Sequence, residues 1–237
     1  MLIDISEIAD RFPDFRVAVV AATGLSIETG RPAALDGLIG EYETECRQRW
    51  AGTVLSEIPG IAVWRQAYRS FGIKRTSYRS SVERLVKNAL AGRSLPSINS
   101  FVDAYNAISL RHVMPAGADD LDHVAGDLAF RFSRAGDSFV DMAADAGDGS
   151  GAIDPPKDGE VVYTDREKVL CRRWNWRQDA RSLVTPATTR AVVTLQNNGA
   201  GDLEATADDL TGLIGRFAGG ATRVAVAERA RPIVEIG

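Results

Sequence analysis

Cysteine and histidine are almost missing from this chain, with two of each in 237 residues. Two cysteines, Cys46 and Cys171, do not make the disulfide framework that staples small secreted domains. A zinc site built on Cys or His needs more such ligands at closer spacing, so no metal and no other cofactor is expected. Long apolar runs are missing too. None approaches the roughly 20 residues of a membrane span. The N-terminus Met-Leu-Ile-Asp-Ile-Ser-Glu carries early acids and no basic region, unlike a secretory signal. The expected setting is reduced and cytoplasmic, with no membrane partner. Gly24 and Gly30 are not followed by a Lys-Ser/Thr pair, which excludes a nucleotide phosphate loop. Strong net charge is also absent. At −4 the chain has no global attraction for polyanions, so DNA is not an expected partner and any RNA contact must rest on a local patch.

What is present suits a globular chain with a substantial core: 45% hydrophobic and 25% charged residues. The apolar run 16–23 reads as a buried strand stopped by Gly24. Pro32 opens a helix to about Trp50. Apolar residues at helical spacing predict helices over 58–71, 82–91 and 97–112, with Ser80 or Ser81 capping the second. Pro115 and Gly117 break the chain, and 118–124 is acid-rich. Residues 126–133 alternate as a strand. A flexible loop over 145–159 leads to a hairpin, 160–164 with 168–174, about Asp165-Arg166-Glu167. A strand over 188–195, a turn at 197–201, a helix over 203–217, a strand over 222–227 and an edge at 232–236 complete an α+β pattern without internal repeats.

Charge is divided along this pattern. Between Ile61 and Arg93 eight basic residues face one acid, a local balance of +7, and from Ser94 to Glu160 the balance is −8. The basic stretch reads either as a solvated helix face or as a phosphate-backbone contact surface, with Lys74, Arg75 and Arg79 as its RNA-binding candidates. Asp119, Asp120 and Asp122 read as turn formers, or as a divalent-cation loop. Asn99, Asp103 and Asn106 recur at steps of four and three and would share one helix face. They could cap and cross-link loops, or position a water or an ester.

The stretch Cys-Arg-Arg-Trp-Asn-Trp-Arg-Gln, 171–178, is the most conspicuous. If extended, it puts Cys171, Arg173, Asn175 and Arg177 on one face and Arg172, Trp174, Trp176 and Gln178 on the other. Such a run is either an Arg–Trp ladder stabilised by cation–π contacts or a site for a planar or anionic ligand.

A set of phrases carries a family resemblance: Ile98-Asn-Ser-Phe-Val-Asp-Ala-Tyr-Asn106, Met114-Pro-Ala-Gly-Ala-Asp-Asp-Leu-Asp122, Gly126-Asp-Leu-Ala-Phe-Arg131, Gly136-Asp-Ser-Phe139, and Gly159-Glu-Val-Val-Tyr-Thr-Asp165 leading into 169–178. In this order they resemble the B3/B4 domain, a module of the β subunit of bacterial phenylalanyl-tRNA synthetase that also occurs as free-standing proteins. The resemblance covers about 50–230. It implies one B3/B4-type domain over 1–237, with an unusual β-sandwich core flanked by helices and a strand–helix extension at 1–50. In the synthetase this domain hydrolyses tyrosine wrongly attached to phenylalanine tRNA. A second, hydrolytic site is needed there because a pocket rejects near-isosteres weakly.

The carry-over is partial. Asn106 matches an asparagine of the editing pocket. The family's histidine falls on Gly117, a small pocket residue falls near Arg172, and a later acid falls near Leu195 or Gln196. His112 reads as structural and His123 as exposed. The resemblance thus points to a free-standing hydrolase of mis-charged aminoacyl-tRNA, with tRNA and the amino acid moiety as partners. Asn106, Asn99 and Asp103 would order the water, and Arg172, Arg173, Trp174, Asn175, Gly117 and Arg111 would line the substrate site. The alternatives are a non-catalytic module for a free amino acid or phosphate ligand, held by Arg172 and stacked on Trp174 or Trp176, and a tRNA-binding scaffold.

Overall fold

Residues 17–22 are apolar on both faces of an extended chain, and a strand of that kind is stable only between two layers. The computed structural model, which describes residues 1–73, 78–142 and 155–236, places it there. In chain order the elements are β1 (Leu2–Asp4), α1 (Ser6–Ala9), β2 (Phe15–Thr23), α2 (Ala33–Arg49), α3 (Pro59–Ser70), α4 (Ser81–Leu90), α5 (Ser100–His112), β3 (Ala116–Asp120), β4 (Leu128–Phe132), β5 (Val161–Thr164), β6 (Val169–Arg172), β7 (Arg177–Gln178), β8 (Arg190–Asn198), α6 (Leu203–Phe217), β9 (Ala221–Ala227) and β10 (Ile233–Glu235). Among the described residues the strands form a four-stranded sheet, β3-β8-β2-β9, and a six-stranded sheet, β10-β1-β4-β5-β6-β7. The α+β class expected from the pattern is the one observed.

Alternation along β2 sorts its side chains into two cores. Ala18, Val20 and Ala22 face α2, α4, α5 and α6. Val17, Val19 and Ala21 face the six-stranded sheet, meeting Leu128, Phe130, Val161 and Leu170. The layers are therefore helices, four-stranded sheet and six-stranded sheet, with α3 bridging both cores through Ile61 on one side and Trp64, Ala67 and Tyr68 on the other. Gly60 makes this bridge feasible, because a Cβ there would stand 2.2 Å from the Val113 carbonyl oxygen.

Residues 1–50, expected as an extension, supply the interior strand of one sheet. β2 pairs antiparallel with β8 from Phe15↔Asn198 to Thr23↔Arg190, and with β9 on its other side. β1 likewise pairs with β10 and β4. The acid-rich stretch expected as a turn is strand β3, held against β8 from Ala116↔Leu195 to Asp120↔Ala191. Its acids diverge. Asp120 accepts from the Thr188 hydroxyl at 2.6 Å, and Asp122 pairs with Arg190. Among the described residues no group of three or more His, Cys, Asp or Glu is arranged to hold a metal ion. None of the described helices is long and apolar enough to cross a membrane. Most of the expected loop at 145–159, and the RNA-binding candidates Lys74 and Arg75, lie outside the described residues.

Candidate functional site

β3 is an edge of one sheet and β7 an edge of the other, and Gln178 of β7 stitches them. Its side-chain amide donates to the Ala118 carbonyl oxygen and, at 3.0 Å, to Asp119 Oδ1. Beside this junction, under α4 and α5, lies a cavity of about 310 Å³, large enough for an amino acid side chain and its acyl group. Leu85, Val102, Tyr105 and Leu170 give it apolar walls, and Asn106, Thr194 and Gln196 add polar atoms. Arg79, Arg84 and Arg177 also line it. Arg84 is exposed and makes no ion pair among the described residues, so the rim carries free positive charge.

The cavity owes one wall to an irregular turn. The second strand of the expected hairpin ends at Arg172, and Arg173 and Trp174 follow with φ of 45° and 67°. Two consecutive bulky residues in the left-handed region are strained, by about 1–3 kcal/mol each. Burial offsets this. Trp174 is fully buried, edge-on to Phe12, Phe15 and Trp64 at 4.5, 4.9 and 5.2 Å between ring centres. The turn reverses the chain and delivers Asn175 and Trp176 to the cavity. The alternation expected over 171–178 therefore fails after Arg172.

Within the turn the two buried arginines have structural partners. Arg172, fully buried, binds Glu160 through Nε at 2.9 Å and Nη2 at 3.0 Å. Arg173 stands 3.4 Å from the same carboxylate, with its guanidinium 3.7 Å from the Tyr78 ring centre and 4.3 Å from that of Trp176. Cation–π contacts of the ladder type are thus present here, with Arg172, Arg173 and Arg177 over the Trp176 ring. Arg172, Arg173 and Trp174, expected to contact substrate, are absent from the cavity wall because their side chains are held in these contacts. Asn175 does reach it, inside a relay in which the Tyr68 hydroxyl donates to Asn175 at 2.8 Å and the Asn175 amide donates to Gln196 at 3.1 Å.

The polar face expected on α5 is divided in the same way. Asn99 is the N-cap, accepting from the Val102 amide at 2.8 Å. Asp103 is fully buried and pairs with Arg31 at 2.9 Å. Neither lines the cavity, since capping and ion pairing hold both elsewhere. Asn106 does line it, and its side chain makes no hydrogen bond among the described residues. Arg111 turns towards Tyr42 and Asp209, at 2.9 and 3.1 Å, and is also outside the wall. His112 contacts Asp209 at 2.8 Å. Of the expected basic surface, Arg79 lines the cavity but pairs with Glu83, which also takes Arg65. Gly117 lines the cavity across from no obstruction: a Cβ built there meets no atom within 4 Å, and its φ is not in the left-handed region.

One group in the wall, Asp119, belongs to the stretch expected as turn formers or as a divalent-cation loop. Asp119 is 3% exposed. Burial pushes its carboxyl up to about 7, against hydrogen bonds from Ser182 and Gln178 that hold it down. Burial also raises the Tyr105 and Tyr163 phenols and the Cys171 thiol, and the Asp119 charge adds to each shift. These three are therefore neutral at physiological pH. The available signal in the sequence was its spacing from Gly117, since residues two apart on a strand share a face.

A family model described as the B3/4 domain matches residues 63–210. No curated protein matches the chain. Among solved structures, an N-terminal fragment of the phenylalanyl-tRNA synthetase β subunit from Pyrococcus horikoshii is similar, with 12% identity and a TM-score of 0.41 over 93% of this chain and 50% of that one. The chain spans about half the length of that fragment.

Proposed function

The chain belongs to the B3/4 domain family, and from that premise we propose that it hydrolyses the ester of a mis-charged aminoacyl-tRNA. The observation that supports this most is that Asn106 and Gly117 face one cavity, under a rim that includes Arg84, which makes no ion pair among the described residues. The cavity would take the aminoacyl group, and the arginines would take the terminal phosphate of the tRNA. Asn106, whose amide makes no hydrogen bond among the described residues, would hold the attacking water or the ester carbonyl. Water adds to the carbonyl carbon, the bond to the ribose oxygen breaks, and that oxygen takes up a proton. Residues 1–237 would act together as one domain.

Deacylation of a panel of aminoacyl-tRNAs, including tyrosine on phenylalanine tRNA, tests this. Release above the buffer rate for at least one member is expected, and Asn106→Ala should slow it by about tenfold or more. No release above buffer across the panel removes the proposal. Gly117, where the family resemblance implies a histidine, favours a second reading: a binding module without turnover. Thermal stabilisation by a free amino acid, with no deacylation, would select it.

A further inference from the structure

Eight acidic side chains are buried among the described residues, and they are not alike. Six stand within 4.0 Å of an arginine or lysine nitrogen. Asp120 has no cation but accepts hydrogen bonds on both oxygens, from the Asp122 amide and the Thr188 hydroxyl. Asp119 has no cation either, and both of its side-chain hydrogen bonds fall on Oδ1, from Ser182 Oγ at 2.6 Å and Gln178 Nε2 at 3.0 Å. Oδ2 is left without a partner among the described residues, in a side chain that lines the cavity. A second observation concerns the same space. The Tyr163 hydroxyl is buried, lines the cavity and has no hydrogen-bond partner among the described residues. Unsatisfied polar atoms in such a place are costly and so mark where a ligand group belongs.

A buried carboxylate oxygen and a phenol oxygen are both acceptors, and together they suit a compact cationic donor. We propose that Asp119, assisted by Tyr163, is the recognition site for a primary ammonium group, so that the cavity selects ligands bearing a free α-amine. The charge layout agrees. Asp119 lies inside; of the arginines on the wall, Arg79 and Arg177 pair with Glu83 and Asp141, and Arg84 makes no ion pair among the described residues, which fits a molecule with an ammonium at one end and an anion at the other. The choice of an aminoacyl ligand rests on the reading in the previous subsection, but the amine preference does not. Asp119 supplies its charge only when ionised. Around it stand the neutral Tyr105, Tyr163 and Cys171, the Lys168–Asp165 pair and, on the cavity wall, Arg79, Arg84 and Arg177. Affinity should therefore rise about tenfold per pH unit up to about 7. It should fall again once the α-amine of the ligand deprotonates, near about 8.

The test is calorimetric binding of non-hydrolysable amide analogues of aminoacyl-adenosine carrying alanine, phenylalanine or tyrosine. Each is compared with the analogue in which a hydroxyl replaces the α-amine. Expected are at least a tenfold preference for the amine, proton release on binding below neutral pH, and loss of the preference in Asp119→Asn. The proton release is read in the unaltered protein, so the test survives a poorly folding variant. Equal affinity for amine and hydroxyl analogues, retained preference in folded Asp119→Asn, or no binding by any analogue would each overturn the proposal. Amine-selective binding without deacylation of the tRNA panel would remove the hydrolase and keep the amine site. Deacylation equally fast for hydroxyacyl-tRNA would do the reverse.

Discussion

Glu160 and Asp119 are both buried acids near the turn at 173–176, and they differ in what surrounds them. Glu160 is shared by Arg172 and Arg173, two guanidinium groups held around one carboxylate. Asp119 has two neutral donors on one oxygen and no cation. The first arrangement fastens the turn to β5. The second leaves a charge whose burial is offset only in part, by those two donors and by the more distant Lys168. A buried group with its partners supplied holds a fold together, and one without them costs stability and is free to meet something else.

That contrast can be broken most severely at Glu160. Glu160→Gln removes a carboxylate charge shared by two buried guanidinium groups, and urea unfolding should show a loss of about 3–5 kcal/mol. A loss below about 1 kcal/mol would mean that the arginines do not depend on it. The opposite sign is expected at Asp119. Its folded carboxyl titrates near 7, above the ordinary 3.8, so the native state holds a proton that the unfolded state has released between those values. Stability then falls as pH rises from about 4 to about 7. Asp119→Asn removes that slope, and above pH 7 the variant should exceed the parent by up to about 4 kcal/mol, with no difference from this source below about pH 4. Equal stability at pH 8 would show that Asp119 is not buried as a charge.

Two smaller changes sharpen the comparison from the cavity side. Gly117→His adds a side chain where its Cβ meets nothing, so thermal unfolding should change by about 1 kcal/mol or less while deacylation rises. An unchanged or reduced rate would show that the glycine is not what limits turnover. Arg84→Ala should alter stability by no more than about 0.5 kcal/mol. It should weaken tRNA binding and lower the slope of log affinity against log salt by about one. An unchanged slope would place the RNA elsewhere.

Helices and long strands were legible because their apolar periodicity is local: Leu85, Val86 and Ala89 point inward from α4 as their spacing requires. β3 was not. Ala-Gly-Ala-Asp-Asp has no strand propensity of its own and is extended because β8 pairs with it. The conspicuous 171–178 segment misled for a related reason. Alternation assumes a continuous strand, and two left-handed residues end it. The spacing of Asp103 and Asn106 placed both on α5, with Asn99 as its cap, but did not disclose the needs of Arg31, more than 60 residues earlier, which takes Asp103. Asn106 and Gly117 were legible through the family phrases. Asp119 was hidden by composition, since an acid beside an acid near a glycine reads as a turn.

β2 also has a consequence for the order of synthesis. Its partners β8 and β9 begin about 170 and about 200 residues after it ends. At ribosomal speeds of 5–20 residues per second, the apolar strand waits on the order of ten to thirty seconds before either is made. During that interval Val17–Ala22 is an unpaired, uncharged, β-branched-rich segment of the type that seeds aggregation. Yield from rapid overexpression should therefore be limited by the nascent chain, and slower translation or a holding chaperone should raise it more than any gain in native stability.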